Sequence, residues 1–126
     1  MNYSNSQFIF TQIADQICDR VLSGRYLPDS RIPSARELST EMEVNPNTVM
    51  RSFERLQQHG IIYNKRGIGY FISPEAREKI RDLRHFHLTE EVLPSVFREM
   101  ALLGVGIDEL TKAFHTYLST NKNKTS

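Results

Sequence analysis

The stretch 34-SARELSTEMEVNPNTVMRSFERLQQHGIIYNKRGIGYFI-72 decides the fold of this chain. Ser34 is followed three residues later by a glutamate, and this capping-box spacing predicts the start of a helix. Asn45 and Pro46 predict a second start, because Asn is a good N-cap and Pro is tolerated at the first helical position. Gly60 suits a left-handed cap at the end of that helix. The pattern therefore indicates two short helices joined by a turn of about three residues.

The second helix is predicted to have two chemically different faces. At 3.6 residues per turn, Val49, Phe53 and Leu56 share one side, which should be buried. The other side carries amide, hydroxyl and guanidinium groups from Asn47, Thr48, Arg51 and Arg55. Groups of this kind bind base edges and phosphates in a DNA major groove. The alternative interpretation is an ordinary helical hairpin with a solvated polar face.

A basic hairpin is predicted directly after the second helix. Residues 61–64 and 69–72 are short runs rich in β-branched and aromatic side chains, which favour β-strands. Lys65 and Arg66 place positive charge at the tip, beside Gly67, which lets a neighbouring backbone come close. Such a hairpin is typical of a wing that contacts phosphates or a minor groove. The alternative is a tip whose charge serves only solubility.

These motifs, in their order and spacing, resemble the winged-helix domain of GntR-type bacterial transcription regulators. The resemblance covers roughly residues 8 to 73, through the segments 26–38, 45–49, 60–62 and 67–72. Many members of that family carry Arg where this chain has Pro46 and Met50. The short remainder of the chain is similar to the YtrA subgroup, which carries a small helical C-terminal region. The resemblance implies DNA binding and dimerisation.

The predicted DNA-binding residues come from two sources. The resemblance points to the matching residues Arg36, Asn45, Asn47, Thr48 and Gly67. The residues themselves supply the others, with Arg51 added from helix phase as the main reader of base sequence. The full set is Ser34, Arg36, Asn45, Asn47, Thr48, Arg51, Arg55, Lys65, Arg66 and Gly67.

The composition bounds the class of protein. A chain of 126 residues fits one domain, or one domain with a small appendage, and 39% hydrophobic with 25% charged residues indicates a soluble globular protein. The net charge of +1 means that bulk basicity does not argue for nucleic acid. The single cysteine, Cys18, cannot form an internal disulfide, which suits a reducing cytoplasm. No apolar run is long enough to span a membrane.

An amphipathic helix is predicted before the helix pair. Apolar residues recur at helical spacing from Ile13 to Leu22, with Cys18 on the face that should cover the core. The ends of the chain, residues 1–7 and 121–126, are expected to be loose. We expect an α+β fold, mainly α, with a winged helix-turn-helix DNA-binding domain over residues 1–74 and a small helical region over residues 75–126.

The region after Pro74 is predicted to be helical and to mediate dimerisation. Residues 89–91 are expected to cap a new helix that contains Pro94 in its first turn, and the charged residues after Gly106 to begin another. The apolar residues that need a partner are Phe86, Leu93, Val96, Phe97, Met100, Phe114 and Leu118. A twofold dimer buries such a surface most simply, and a folded-back monomer or a binding face for another protein are the alternatives.

The sequence predicts neither a catalytic site nor a metal or cofactor site. His85 and His87 would point about 200° apart on a helix, which is unsuitable for shared ligation. We therefore expect a regulator of transcription, not an enzyme, with double-stranded operator DNA and a second copy of the chain as partners. A repressor on a pseudo-palindromic operator is the favoured interpretation, and any small-molecule effector is unknown. The alternative is a winged-helix module for protein contacts, because Glu54 places an acid on the exposed helix face.

Overall fold

The computed structural model describes residues 11–121, which form six α-helices and two β-strands. The helices are α1 (Gln12–Leu22), α2 (Ala35–Met42), α3 (Pro46–Gln58), α4 (Ala76–His87), α5 (Leu93–Leu103) and α6 (Ile107–Asn121), and the strands are β1 (Ile62–Lys65) and β2 (Gly69–Ile72). The predicted class, α+β and mainly α, is confirmed. Two compact units are divided between His87 and Leu88. The expectations for residues 1–7 and 122–126 lie outside the described residues.

The helix pair begins at the side-chain caps that the sequence predicts. The Ser34 hydroxyl accepts a hydrogen bond from the Glu37 backbone N–H at 3.1 Å, and the Glu37 carboxylate accepts one from the Ser34 N–H at 2.9 Å. The side-chain oxygen of Asn45 accepts from the Asn47 N–H at 2.8 Å, with Pro46 as the first residue of α3. These caps satisfy N–H groups that have no partner within their helices. The capping box and the Asn-Pro start are both confirmed.

The turn between α2 and α3 has the predicted length. It consists of residues 43–45, and Glu43 adopts the left-handed conformation with φ 56°. The Val44 N–H donates to the Ser39 carbonyl at 3.0 Å, which closes the end of α2. At the other end of α3, Gly60 has φ 72° and supplies the left-handed residue that the sequence predicts there.

A small antiparallel sheet follows α3. In its register, Tyr63 lies opposite Phe71 and Lys65 lies opposite Gly69. The segment before α2 lies along the free edge of β2, where Arg31 bridges to Phe71 and the Ile32 N–H donates to the Tyr70 carbonyl at 2.9 Å. No strand is predicted from the sequence before α2, so this extended edge is a feature that the structure adds.

One hydrophobic core fills the first unit. Val49, Phe53 and Leu56 are fully buried, as predicted. Leu38 of α2 is fully buried as well, while Met42 and Val44 pack at the margin of the core. Within residues 11–121, the buried hydrophobic residues of this core are Ile13, Ala14, Ile17, Cys18, Val21, Tyr26, Ile32, Leu38, Val49, Phe53, Leu56, Ile61, Ile62, Ile72, Ala76 and Ile80. The core therefore joins all four helices of this unit to both strands.

Helix α4 belongs to the winged unit. Ala76 and Ile80 are buried in its core. The Arg84 guanidinium forms ion pairs with two carboxylates of α1, at 2.6 Å from Asp15 and 2.8 Å from Asp19. The compact first unit thus extends through α4, beyond the boundary at residue 74 that the sequence suggests.

The second unit begins with a wide helical turn. Residues 88–92 form a π-type turn that runs directly into α5, where Pro94 lies in the first turn. The predicted cap at 89–91 is wrong, because the chain is already helical there and presents no new N-terminus. Pro94 cannot donate a backbone hydrogen bond, and a wider turn before it accommodates that loss. Gly104, with φ 72°, ends α5, and α6 starts near Asp108 as expected.

The helices of the second unit have no core of their own. Neither α5 nor α6 contains a buried residue. Leu102, Leu103 and Ile107 are each at least 70% exposed. Within residues 11–121, no helix combines the length and the apolar character needed to cross a membrane.

Candidate nucleic-acid interface

Helix α3 presents its polar face to solvent. Asn47, Arg51 and Arg55 are exposed, whereas Val49 and Phe53 on the other side have no solvent exposure. The predicted orientation of the helix is therefore confirmed. Because Arg51 lies about one turn from the start of α3, its guanidinium is near the end of the helix that enters a groove most deeply in helix-turn-helix proteins.

Asn45 and Thr48 occupy the edge of this polar face. Both line an open groove of about 630 Å³ between α1 and the turn before α3. Thr48 is half-buried, and the carbonyl oxygen of the Asn45 side chain is engaged in the helix cap. Their side chains can reach a ligand only where it approaches the start of α3 closely.

The N-terminus of α2 combines a cap with an exposed cation. Arg36 is exposed in the first turn, while the Ser34 side chain is engaged in the capping box. Hydrogen bonds from the Ser34 backbone N–H and hydroxyl hold the pKa of the Glu37 carboxyl below its ordinary value. A helix N-terminus attracts anions, and Arg36 strengthens that field, so this end of α2 suits a phosphate.

The wing carries its two cations in different settings. Arg66 and Gly67 are exposed in the turn between the strands, and Gly67 has φ 79°. The Lys65 ammonium lies 4.5 Å from the centroid of the Phe71 ring, a cation–π contact that holds it over the sheet. The two positive charges predicted at the tip are thus separated. Arg66 lies in the exposed turn, and Lys65 lies over one face of the sheet.

These groups are parts of one compact unit. Helix α2 packs against α3, and α3 packs against β1. The Phe53 and Tyr70 rings, whose centroids are 4.7 Å apart, join α3 to β2. The start of α2, the polar face of α3 and the wing are therefore held in a fixed arrangement by the core.

One cation near the wing is absent from the predicted set. The Arg31 side chain is exposed, and its Nε donates to the Ile68 carbonyl at 3.1 Å. The sequence signal for this position is slight: an exposed Arg31 alternates with a buried Ile32 in a segment too short to be recognised as a strand. Its place beside the wing depends on the bridge to Phe71, forty residues away in the chain.

Comparisons with known proteins agree on one family. The family model described as "Bacterial regulatory proteins, gntR family" matches residues 10–72, half of the chain. The HTH-type transcriptional regulator YhcF of Bacillus subtilis is 36% identical over 115 residues, covering 91% of this chain and 93% of that protein. The HTH-type transcriptional repressor YtrA of the same organism is 32% identical, covering 81% of this chain and 78% of that protein.

Solved structures show the same architecture. A crystal structure of a GntR-family regulator from Bacteroides thetaiotaomicron is 44% identical with a TM-score of 0.72, covering 87% of this chain and 96% of the other. A GntR-family regulator from Listeria monocytogenes is 27% identical with a TM-score of 0.72, covering 92% and 98%. The relatives are transcription regulators, so the expectation that the chain is not an enzyme is confirmed. Because both the family model and relatives of nearly full length match, the chain belongs to the GntR family of bacterial regulatory proteins, and YtrA is among its relatives.

Proposed function

We propose that this chain is a sequence-specific DNA-binding repressor of transcription that acts as a homodimer on a pseudo-palindromic operator in the cytoplasm. The observation that carries the proposal is the two-sided α3, whose apolar side is fully buried while Arg51 and its polar neighbours face solvent. The match to a family of bacterial regulatory proteins supports a role of this helix in binding DNA.

Sequence readout is assigned to α3. Arg51 can form two parallel hydrogen bonds with a guanine edge in the major groove, a pairing worth about 1–3 kcal/mol of discrimination. Asn47 and Thr48 are shorter and lie one turn earlier, so they contact bases where the helix end is deepest. Arg55 lies one turn later, where a guanidinium reaches the DNA backbone as the helix leaves the groove.

Backbone positioning is assigned to the start of α2 and to the wing. Ser34 and Arg36 provide a capped helix N-terminus with an adjacent cation, which favours a phosphate. Lys65, Arg66 and the backbone at Gly67 provide a second anchor. Contacts of this type fix the register of a protein on DNA but carry no base information themselves.

The homodimer is assigned to the apolar side chains of the helical region. Phe86, Phe97, Phe114 and Leu118 are between 48% and 62% exposed. Leu93, Val96 and Met100 are half-buried. Since α5 and α6 contain no buried residue, a second copy would supply the core that they lack. Two α3 helices in such a dimer would address half-sites about 34 Å, or a multiple of it, apart.

Repression is favoured over activation by one relative and by simple sterics. YtrA, which is 32% identical over most of its length, is named a transcriptional repressor. A dimer seated on a promoter excludes polymerase without a further contact, whereas activation requires an additional surface for polymerase. Repression therefore requires fewer contacts than activation does.

Binding-site selection from a random DNA duplex pool tests the proposal. The full chain should enrich a palindromic consensus, and affinity for that duplex should fall steeply with salt, with a log–log slope of about −0.9 for each neutralised phosphate. Transcription in vitro from a promoter carrying the selected site should decrease as protein is added. Failure to enrich any sequence would contradict the proposal.

A module for protein contacts is the second candidate, because Glu54 on the exposed face of α3 repels phosphates. The same experiment separates the two functions. A protein-contact module would show weak DNA binding with no preferred sequence, whereas a repressor loses affinity steeply with salt while retaining its consensus.

A further inference from the structure

We propose that Arg31 and Lys65 together form a seat for one DNA backbone phosphate on the outer face of the wing, beside Gly69. The inference deepens the proposed function and rests on it, since DNA is the ligand. It adds Arg31 to the proposed DNA interface and assigns Lys65 to the same backbone phosphate as Arg31.

The strand register places both cations on one face of the sheet. Arg31 bridges to Phe71 along one edge of β2, and Lys65 lies opposite Gly69 along the other. Side chains alternate between faces along a strand, so Phe71 and the position of Gly69 share a face, to which Arg31 and Lys65 also belong. The buried Ile32 belongs to the other face, which covers the core.

The Arg31 guanidinium is held directly over Gly69. Its Nε donates to the Ile68 carbonyl at 3.1 Å. A Cβ atom on Gly69 would lie 2.9 Å from the Arg31 Nε and 3.5 Å from its Nη2, so a side chain there would collide with the guanidinium. Within residues 11–121, the Arg31 side chain donates this hydrogen bond alone. Its terminal N–H groups therefore remain available to a ligand.

Lys65 lies on the same face of the sheet and belongs to the opposite strand. Its ammonium lies 4.5 Å from the centroid of the Phe71 ring, one strand position from Gly69 on that face. The missing side chain at Gly69 leaves room for the Arg31 guanidinium, so the two cations lie at neighbouring positions on one face of the sheet. A guanidinium and an ammonium placed side by side can donate to different oxygens of one phosphate.

The nearby acids are engaged in hydrogen bonds of their own. The Glu37 carboxylate, which is within electrostatic reach of Arg31, accepts from the Ser34 N–H at 2.9 Å. The Asp29 carboxylate accepts from the Tyr63 hydroxyl at 2.8 Å. Both carboxylates keep their charge, but Arg66 in the adjoining turn adds a third cation, so three positive charges stand against two negative ones near the wing.

Neutralisation of single phosphates tests the seat. The duplex selected by the wild-type chain is prepared with one methylphosphonate at a time, and affinity is measured by fluorescence anisotropy. In each half-site, one substitution should weaken wild-type binding about tenfold, as expected for a lost charge-assisted contact. The same substitution should have little further effect on Arg31→Gln or on Lys65→Gln. Arg81→Gln, an exposed cation of α4, should respond as the wild type does.

The result that overturns the inference is distinct from failure of the proposed function. If each methylphosphonate weakens binding of Arg31→Gln and Lys65→Gln as much as it weakens binding of the wild type, the proposed phosphate seat is wrong, while operator binding remains supported. If the wild-type chain selects no duplex, both proposals fail. Thermal unfolding of each variant verifies that it is folded, and each of the two substitutions tests the seat independently.

Discussion

The guanidinium of Arg84 lies 2.6 Å from the Asp15 carboxylate and 3.1 Å from the Asp15 backbone carbonyl, and so joins α4 to α1 across 69 residues of chain. Both side chains are partly exposed, and Asp19 completes the cluster at 2.8 Å. In addition to these ion pairs, Ala76 and Ile80 of α4 are buried in the same hydrophobic core as the apolar side of α1. The ion pairs and the packing together make α4 the fourth helix of the winged unit.

Arg84→Gln should destabilise the protein by about 1 kcal/mol, because partly exposed ion pairs contribute modestly and two of them are lost. The loss should shrink at high salt, which screens exposed charges. Urea unfolding at low and high ionic strength measures both effects. Arg81→Gln on the same helix is the matched control and should leave stability within about 0.5 kcal/mol of the wild type. Equal effects from the two substitutions would contradict the role of the cluster.

Cys18 should be unreactive in the folded protein. Burial raises the pKa of its thiol from 9.0 to about 12, so little thiolate exists at pH 8. Alkylation by iodoacetamide should therefore be slow in buffer and fast in guanidinium chloride.

The same shift makes stability depend on alkaline pH. Above pH 9 the unfolded thiol of Cys18 ionises while the folded one retains its proton, so stability should fall as pH rises towards 12. Cys18→Ala removes this contribution, and a decline as steep in that variant as in the wild type would contradict the assignment.

Fragments that end on either side of α4 should differ in stability. A fragment of residues 1–87 retains Ala76, Ile80 and Arg84, and should unfold cooperatively. A fragment of residues 1–74 lacks them and should be less stable by about 3 kcal/mol or more, since loss of one large core side chain alone costs about 2–5 kcal/mol. Denaturant unfolding measures the difference.

Light scattering on the longer fragment addresses the proposed dimer as well. If the interface lies in α5 and α6, the fragment of residues 1–87 should be a monomer while the full chain is a dimer. A dimeric fragment would place the interface in the winged unit.

Arg51→Ala should remove base preference at one symmetric pair of operator positions. The guanidinium is exposed near the start of α3, and its loss should cost about 1–3 kcal/mol of discrimination there, with the rest of the consensus unchanged. Site selection with the variant measures this directly. Arg36→Ala is the comparison, because a phosphate contact weakens binding to all sequences alike. Retention of the full consensus by Arg51→Ala would show that another residue reads the base.

The parts of the fold that were predictable depend on signals close together in sequence. The capping box of Ser34 and Glu37 spans three residues, and the Asn45-Pro46 pair is adjacent, so each specifies a helix start without knowledge of the rest of the chain. The buried side of α3 follows from helical periodicity alone. The polar face of the candidate interface was therefore also predictable.

The parts that were not predictable depend on distant pairs. An apolar stripe at Ala76 and Ile80 requires a partner but does not identify it, so the sequence could not assign α4 to the winged unit. Likewise, the position of Arg31 beside the wing results from its bridge to Phe71. The π-type turn before Pro94 depends on how a helix accommodates a missing donor, which local propensity does not specify.

The lack of a core in α5 and α6 has a consequence for how the regulated promoter would respond to the concentration of this protein in the cell. Neither helix contains a buried residue, so under the proposed dimer their stability would depend on protein concentration. If a second copy completes them, as proposed, the amount of dimer at low abundance rises as the square of the chain concentration. Halving synthesis would then lower the dimer concentration, and with it the occupancy of an unsaturated operator, about fourfold, a steeper response than the twofold change that a monomeric regulator would give.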